Sequence, residues 1–140
     1  MTESRESGAD GPKLSVVIVA FESGPELALD QRILLLDVTS GDARAIDGDW
    51  DRWGRPEAFS PDGATLYVTA GDDGHRPVFA IDTATGEVRR LTESGAFDSV
   101  QLSPDGATLY AVRTAYDQPG EIVAVDTATG RTRTLRSPVA

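Results

Sequence analysis

The sequence predicts an all-β fold made of repeated four-stranded units, and three observations carry that prediction. Residues 60–67 read SPDGATLY, and residues 103–110 repeat them unchanged, a spacing of 43 residues from 60 to 103. The segment IDTATG at residues 81–86 returns as VDTATG at residues 125–130, and a weaker copy, LDVTSG, occupies residues 36–41. A period of about 40–45 residues with short strand-like segments is typical of propeller blades of four strands each. The sequence therefore predicts a partial β-propeller, with two complete four-stranded antiparallel blades plus one incomplete blade.

The third blade, assigned to residues 98–136, shows the four strands most clearly. The SPDG segment predicts a tight turn between its first two strands, because proline presets φ, aspartate tolerates the next position and glycine accepts a positive φ. Residues 115–120, with a proline and a glycine, predict a loop between the second and third strands. The last strand is polar on both faces, which is typical of a sheet edge. The four strands are predicted at residues 98–102, 108–113, 121–125 and 131–135.

The second blade and its connection are assigned to residues 56–97, and the incomplete first blade and its connection to residues 13–55. The first blade lacks a first strand, and its remaining three strands are predicted at residues 14–21, 31–38 and 42–46. Several of these strands are apolar on both faces, as expected for a sheet packed between two neighbours. Residues 1–12 are predicted to be a disordered polar leader, and residues 137–140 a short tail.

Composition excludes several classes of protein. The formal net charge is −10 and the pI is about 4.4, so the chain repels phosphate backbones and we expect no nucleic-acid partner. The sequence has no apolar run of about 18 residues, so no membrane partner is expected. The leader has no apolar core of the kind that a signal peptide needs. Cysteine is absent, which excludes disulfides and thiolate metal sites and favours a cytoplasmic protein.

Alternate connections of an up-and-down sheet emerge at opposite ends, which divides each blade into a turn end and a loop end. The SPDG and TATG turns are predicted to share the turn end. The longer connections at residues 23–30, 71–76 and 115–120, with the inter-blade connections at residues 47–55 and 93–96, form the loop end. Function on a rigid scaffold concentrates in such loops. We therefore expect the loop end, with Trp50, Trp53, His75 and Tyr116, to face a partner.

Four charged segments are candidates for chemistry, and each has a simpler interpretation. Residues 47–51 alternate carboxylates like a calcium loop, but Arg52 and Ala58 stand where that loop needs Gly and Glu. Residues 71–75 place the only histidine, His75, beside two aspartates, in a segment that is first of all a turn. The charges at residues 87–90 and 131–133 are interpreted as solvated. With no Gly-x-Ser-x-Gly elbow and no phosphate-binding loop, no catalytic, cofactor-binding or metal-binding residue is predicted, and no cofactor.

The repeated motifs resemble the WD-like propeller repeats of three groups: the prolyl oligopeptidase family of serine peptidases, the TolB-like proteins and the lactonase-like propellers. Residues 51–53 (DRW), 69–79 (TAGDDGHRPVF) and 112–119 (VRTAYDQP) are more specific, and they are similar to bacterial acylaminoacyl-peptidase and dipeptidyl-peptidase propellers. The resemblance covers residues 14–135. It implies a propeller that caps an α/β-hydrolase domain and admits short peptides to a Ser-Asp-His triad in that domain. Because this sequence lacks the hydrolase domain and several blades, no catalytic residue is carried over.

The favoured hypothesis is thus a non-catalytic propeller fragment of a prolyl oligopeptidase family serine peptidase. Its expected partners are the missing hydrolase domain or the remaining blades, or other copies through self-association of exposed blade faces. Short peptides are partners only in the full-length context. The alternative is a TolB-like, stand-alone interaction module. A lactonase-like enzyme is a third hypothesis, but it would need several ligands around a central channel, and His75 is the only histidine.

Overall fold

The computed structural model describes residues 14–23, 28–46 and 54–136, and the side chains of residues 33–46 and 54–135. Over these ranges, the β-branched and aromatic residues between the turn sequences form short antiparallel strands. The strands are β1 Leu14–Ser23, β2 Ala28–Asp37, β3 Ala43–Ala45, β4 Arg55–Phe59, β5 Thr65–Thr69, β6 Val78–Asp82, β7 Val88–Arg90, β8 Ala96–Leu102, β9 Thr108–Ala115, β10 Gln118–Asp126 and β11 Thr132–Arg136.

Three antiparallel sheets follow one another along the chain, and each is a simple meander. Blade 1 is the three-stranded sheet β1-β2-β3, blade 2 is β4-β5-β6-β7 and blade 3 is β8-β9-β10-β11. Within the described ranges the protein has no helix. The prediction of an all-β partial propeller with two complete blades and one incomplete blade is therefore confirmed. The described part of the chain contains no helix long and apolar enough to cross a membrane.

The connection predicted at residues 115–120 is wrong for most of its length, and the one predicted at residues 23–30 is wrong at Ser23 and at residues 28–30, which belong to β1 and β2. Residues 115–120 were expected to connect two strands, but β9 runs to Ala115 and β10 begins at Gln118. Only Tyr116 and Asp117 form the turn. The register of β10 against β9 shifts between Gln118 and Glu121, so a β-bulge absorbs the proline and glycine that suggested a loop. The leader, the tail and the calcium-like segment at residues 47–51 lie outside the described residues.

The SPDG segments form the predicted tight turns. Gly63 and Gly106 have φ of 74° and 76°, a region that only glycine enters without strain. In the first copy, the Asp62 carboxylate accepts hydrogen bonds from the Ser60 hydroxyl at 2.6 Å and from the Ala64 N–H at 3.0 Å. The second copy repeats these contacts at the same distances. Turn chemistry alone thus fixes where the first strand of a blade meets the second.

A threonine joins the two turns of each complete blade. The Thr83 hydroxyl donates to the Gly63 carbonyl at 2.8 Å, and the Thr127 hydroxyl donates to the Gly106 carbonyl at the same distance. Since each bond connects a TATG turn to the SPDG turn of its own blade, the prediction that these turns share one end is confirmed. Blade 1 has Val38 at the equivalent position, and no SPDG turn belongs to its described residues.

Replacing Thr83 by Val is expected to lower the free energy of unfolding by about 1 kcal/mol or more, because the Gly63 carbonyl loses a part-buried donor while side-chain volume is kept. Urea unfolding followed by circular dichroism measures the loss. The reciprocal change Val38→Thr is the control, since Val38 is exposed, and its effect should stay within about 0.5 kcal/mol. Equal effects of the two changes would contradict a role for the cross-turn hydrogen bond.

Two apolar clusters fill the spaces between neighbouring blades. Successive residues of a strand point to opposite faces, so each inner strand of blade 2 contributes to both clusters, as the two-sided apolar pattern predicted. Between blades 1 and 2 lie Ile33, Leu35, Ile46, Leu66, Val68, Ala70, Phe79 and Ile81. Between blades 2 and 3 lie Tyr67, Val78, Ala80, Leu91, Phe97, Val100, Leu109, Ala111, Val123 and Val125.

Candidate docking surface

The connection between β5 and β6 is a small hairpin at the loop end of blade 2. Asp72 and His75 exchange backbone hydrogen bonds of 2.9 and 3.0 Å. Asp73 and Gly74 between them have φ of 53° and 85°, and two successive positive φ values are the mark of a type I′ turn. The interpretation of this segment as a turn is therefore confirmed. The hairpin places the His75 side chain at an exposed position.

His75 is held against the connection between blades 2 and 3. The Gly95 N–H donates to His75 Nδ1 at 3.1 Å, so a neutral imidazole carries its proton on Nε2. Backbone bonds of 3.1 Å join Arg76 N–H to the Gly95 carbonyl and Phe97 N–H to the Arg76 carbonyl. These contacts form a parallel bridge between Arg76 and Ala96. The loop end of blade 2 is thus built onto the start of blade 3.

Arg90, on the edge strand β7, bonds to several segments of the loop end. Its Nη1 contacts Asp72 Oδ2 at 2.5 Å, and its Nε donates to the Thr92 carbonyl at 2.9 Å. Its Nη2 donates to the Glu93 carbonyl. Arg89 and Arg90 are exposed, in agreement with the interpretation of residues 87–90 as solvated charges. Arg90 nevertheless ties three segments together, and Arg89 Nη2 lies 3.5 Å from the Thr127 carbonyl of blade 3.

An open groove of about 740 Å³ lies between this hairpin and the β9–β10 turn. Its walls include His75, Ser94 and Gly95 on one side and Tyr116 and Asp117 on the other. Tyr116 is fully exposed at the tip of its turn. An exposed tyrosine at the rim of a groove suits contact with another surface, because tyrosine offers apolar area with a polar tip. The groove, its walls and the Arg90 contacts are called the loop-end surface below.

The side-chain contacts of the described residues at the loop-end surface bear on catalysis and on metal binding. His75 Nδ1 is occupied by a backbone N–H, and no nucleophilic side chain is bonded to this ring among residues 54–136. No group of three His, Asp or Glu side chains in the described ranges converges as a metal site. Of the residues that the sequence assigned to the loop end, the structure brings His75 and Tyr116 to one groove. Trp50 and Trp53 lie outside the described residues.

Sequence reasoning missed the ion pair that stiffens the strands leading to Tyr116. Arg113 on β9 donates from Nε to Glu121 Oε2 at 3.1 Å, and the Thr134 hydroxyl donates to Oε1 at 3.3 Å. The Arg113 guanidinium holds the pKa of Glu121 below its ordinary value of 4.5. The equivalent residues of blade 2 are Ala70 and Pro77, so the repeat pattern contained no signal for this pair.

Acid is expected to destabilise the fold through Glu121 and the two turn aspartates. The Ser60 hydroxyl lowers the pKa of Asp62 below 3.8, and the Ser103 hydroxyl does the same for Asp105. Because each folded pKa lies below its unfolded value, the unfolded chain binds more protons in acid. The resulting stability is fully present above about pH 5 and is lost as the pH falls through the folded values.

The melting temperature, followed by circular dichroism from about pH 7 down to about pH 2.5, measures this loss. Ser103→Ala removes the main cause of the Asp105 shift, so the variant should show a shallower acid-dependent decrease than the unmodified chain. Ser94→Ala, an exposed serine outside the turns, is the matched control and should follow the unmodified chain. A flat pH profile of the unmodified chain would be inconsistent with the three depressed values.

Repeated four-stranded meanders, stacked face to face with a turn end and a loop end, define this chain as a section of a β-propeller. No family model matches the sequence. Solved structures do match, and TolB from Acinetobacter baumannii is 21% identical, with a TM-score of 0.62 over 86% of this chain. The putative TolB from Agrobacterium tumefaciens is also 21% identical, with a TM-score of 0.65 over 87% of this chain. A puromycin-hydrolysing peptidase from Mycobacterium tuberculosis is 28% identical, with a TM-score of 0.58 over 79% of this chain.

The chain spans only part of each of these proteins. It covers 29% of the first TolB chain, 42% of the second and 18% of the peptidase. The two TolB likenesses establish the fold alone. The peptidase likeness agrees with the resemblance of residues 69–79 and 112–119 to peptidase propellers, and it is the starting point for a functional proposal.

Proposed function

We propose that this chain is a non-catalytic section of the propeller of a serine peptidase of the prolyl oligopeptidase family. In that role it helps to dock the propeller on an α/β-hydrolase domain and to restrict entry to short peptides. The observation that carries the proposal is the match to the M. tuberculosis peptidase, at 28% identity over 79% of this chain. Each of the two TolB structures is only 21% identical to this chain. The hairpin and turn sequences at residues 69–79 and 112–119 support the same choice.

The loop-end surface is proposed as the side that meets the hydrolase domain. It is held rigid by Arg90, which bonds Asp72, Thr92 and Glu93, so little conformational entropy is lost on binding. Tyr116 stands fully exposed at its rim, and exposed aromatic anchors dominate many protein interfaces. By contrast, the turns at the opposite end are short, and their threonine hydroxyls are bonded within their own blade.

The genome downstream of this coding region tests the proposal directly. A Gly-x-Ser-x-Gly hydrolase segment in the same chain or an adjacent gene is expected. That domain, produced separately, should bind the 140-residue chain in isothermal titration calorimetry, and Tyr116→Ala should weaken the affinity by about tenfold or more. Ala128→Gln, an exposed change at the turn end, is the control and should leave the affinity unchanged.

The proposal fails if no hydrolase segment is encoded nearby, or if Ala128→Gln weakens binding as much as Tyr116→Ala. The 140-residue chain alone should show no turnover of aminoacyl or peptidyl nitroanilides. Turnover that persists through repeated purification would overturn its non-catalytic role.

A TolB-like interaction module is the second candidate. Its support is the closer backbone match, with TM-scores of 0.62 and 0.65 against 0.58 for the peptidase. The peptidase proposal includes a cytoplasmic location, with which the cysteine-free composition is compatible. Cell fractionation with an antibody against the chain separates the two candidates, since recovery in the periplasm would favour the TolB-like module.

A further inference from the structure

Neighbouring blades are joined by an arginine that recurs at one position of the last strand. Arg44 on β3 donates to the Thr83 carbonyl of blade 2, and Arg89 on β7 contacts the Thr127 carbonyl of blade 3 at 3.5 Å. Each arginine pairs in register with the same position of the preceding strand, as does Arg133 on β11. Arg133 is exposed, and within residues 14–23, 28–46 and 54–136 its guanidinium has no hydrogen-bond acceptor.

The apolar residues around Arg133 are also exposed, whereas their equivalents in blade 2 are covered. The surface of a blade that contacts the next blade in the chain is called its C-side face. On the C-side face of blade 2, the relative exposures are 5% for Tyr67, 1% for Val78 and 6% for Leu91, because blade 3 covers them. The equivalent residues of blade 3 are exposed by 40% for Tyr110, 46% for Ile122 and 44% for Leu135. Blade 3 thus presents an interface of known composition without a covering blade among the described residues.

Blade 1 presents the complementary half of the same interface. The surface that contacts the preceding blade is called the N-side face. Gly86 and Gly130 lie on this face of blades 2 and 3, where an added Cβ would be 2.7 Å from the Ile46 carbonyl oxygen and 2.1 Å from the Leu91 carbonyl oxygen. Gly41 holds the same turn position in blade 1 with a similar φ of +82°, but no described atom lies within 4 Å of such a Cβ.

The remaining N-side groups of blade 1 also match those of the complete blades. Val38 corresponds to Thr83 and Thr127, whose carbonyls receive an arginine, and its own side chain is exposed. Leu34 and Leu36 alternate with residues that face blade 2, so they lie on the N-side face. Both are only partly buried. Blade 1 therefore presents a carbonyl acceptor, a glycine and an apolar pair at the same positions that blade 3 uses to contact blade 2.

We propose that the C-side face of blade 3 binds the N-side face of blade 1 in a second copy of this chain. Arg133 of one copy donates to the Val38 carbonyl of the other, and Ile122 and Leu135 pack against its apolar pair and Gly41. A second copy is the occupant because this one chain contains both halves of the interface that already joins its blades. The contact is head to tail, so it closes into a ring or continues as a filament. The described residues of two copies supply six sheets, within the range of about four to eight that forms propellers.

Sedimentation velocity of the unmodified 140-residue chain tests the association. We expect a reversible assembly of two chains that grows with concentration through the micromolar range. Ile122→Asp should weaken it at least tenfold, because a carboxylate would be buried against apolar residues, and Arg133→Ala should weaken it to a smaller extent. Ala128→Asp, an exposed change in the DTATG turn of blade 3 that also adds a carboxylate, is the control. A chain that stays monomeric throughout, or an assembly unaffected by Ile122→Asp in a variant that folds by circular dichroism, overturns the proposal.

Cysteine cross-linking tests the head-to-tail orientation, since the natural chain has no cysteine. Thr39→Cys marks the N-side face of blade 1, and Arg131→Cys marks the C-side face of blade 3. The double variant Glu87→Cys/Ala128→Cys places thiols at the equivalent positions of the interface between blades 2 and 3. The shortest bismaleimide that joins these two thiols within one chain is chosen as the reagent. With that reagent, a covalent dimer should form when the two single variants are mixed and in neither variant alone. A dimer from one variant by itself would show a symmetric contact and overturn the proposal.

Discussion

Replacing Phe97 by Ala is expected to lower the free energy of unfolding by about 3–5 kcal/mol, the largest effect of any substitution considered in this protein. Phe97 lies on β8 with 1% relative exposure and is among the largest fully buried side chains of the described residues. It belongs to the apolar cluster between blades 2 and 3, with Tyr67 and Val78 opposite. Its removal leaves a cavity that the two sheets can close only partly, because both are held by their own strand pairing.

Urea unfolding followed by circular dichroism, at a concentration where the chain is monomeric, measures this loss. Tyr116→Ala is the matched control, because it also removes an aromatic ring but from a fully exposed turn. Its effect should stay within about 0.5 kcal/mol. If the two substitutions cost the same, the cluster between blades 2 and 3 does not hold the chain together.

Gly130→Ala is expected to lower the free energy of unfolding by about 2–4 kcal/mol. The φ of +80° at this position costs about 1–2 kcal/mol for any residue with a Cβ. The new methyl group would also lie 2.1 Å from the Leu91 carbonyl oxygen, so blade 3 must move away from blade 2. Overpacking of this kind adds about 1–3 kcal/mol.

Comparison with Gly41→Ala shows how much of the loss in Gly130→Ala comes from the contact between blades. Gly41 has the same turn position and a φ of +82°, but no described atom lies near the added methyl group. Its loss should therefore be limited to about 1–2 kcal/mol. Thermal and urea unfolding of the two variants, again at monomeric concentration, give the difference. Equal losses would mean that the close approach of Gly130 to blade 2 contributes nothing to stability.

The features of the fold that depend on local chemistry could be predicted from the sequence. SPDG and DTATG segments form turns through bonds among residues a few positions apart, such as the Asp82 carboxylate with the N–H groups of Ala84 and Thr85. Their spacing therefore located the strands between them. The edge position of β11 was predicted from its composition, because a strand that is polar on both faces is incompatible with a buried sheet centre.

Contacts between blades could not be predicted in the same way. Arg89 reaches a carbonyl 38 residues away, and in the sequence it looks like any exposed charge on an edge strand. Phe97 was assigned to a connection, and its counterpart in blade 2 is Gly54, so the repeat contains no apolar signal at this position. At the loop-end surface, the hairpin turn was predicted from Asp73 and Gly74, but the Nδ1 contact of His75 depends on the packing of two blades.

The bridge between Arg76 and Ala96 also bears on how the molecule opens. It joins the hairpin of blade 2 to the first strand of blade 3 by backbone hydrogen bonds, so these two blades can separate only if the bridge breaks. The amides of Arg76 and Phe97 should then exchange with deuterium at one common slow rate. Blade 1 has three strands and no such bridge in its described residues, so its amides should exchange earlier. The array would thus consist of a cooperative pair and a more weakly coupled third unit.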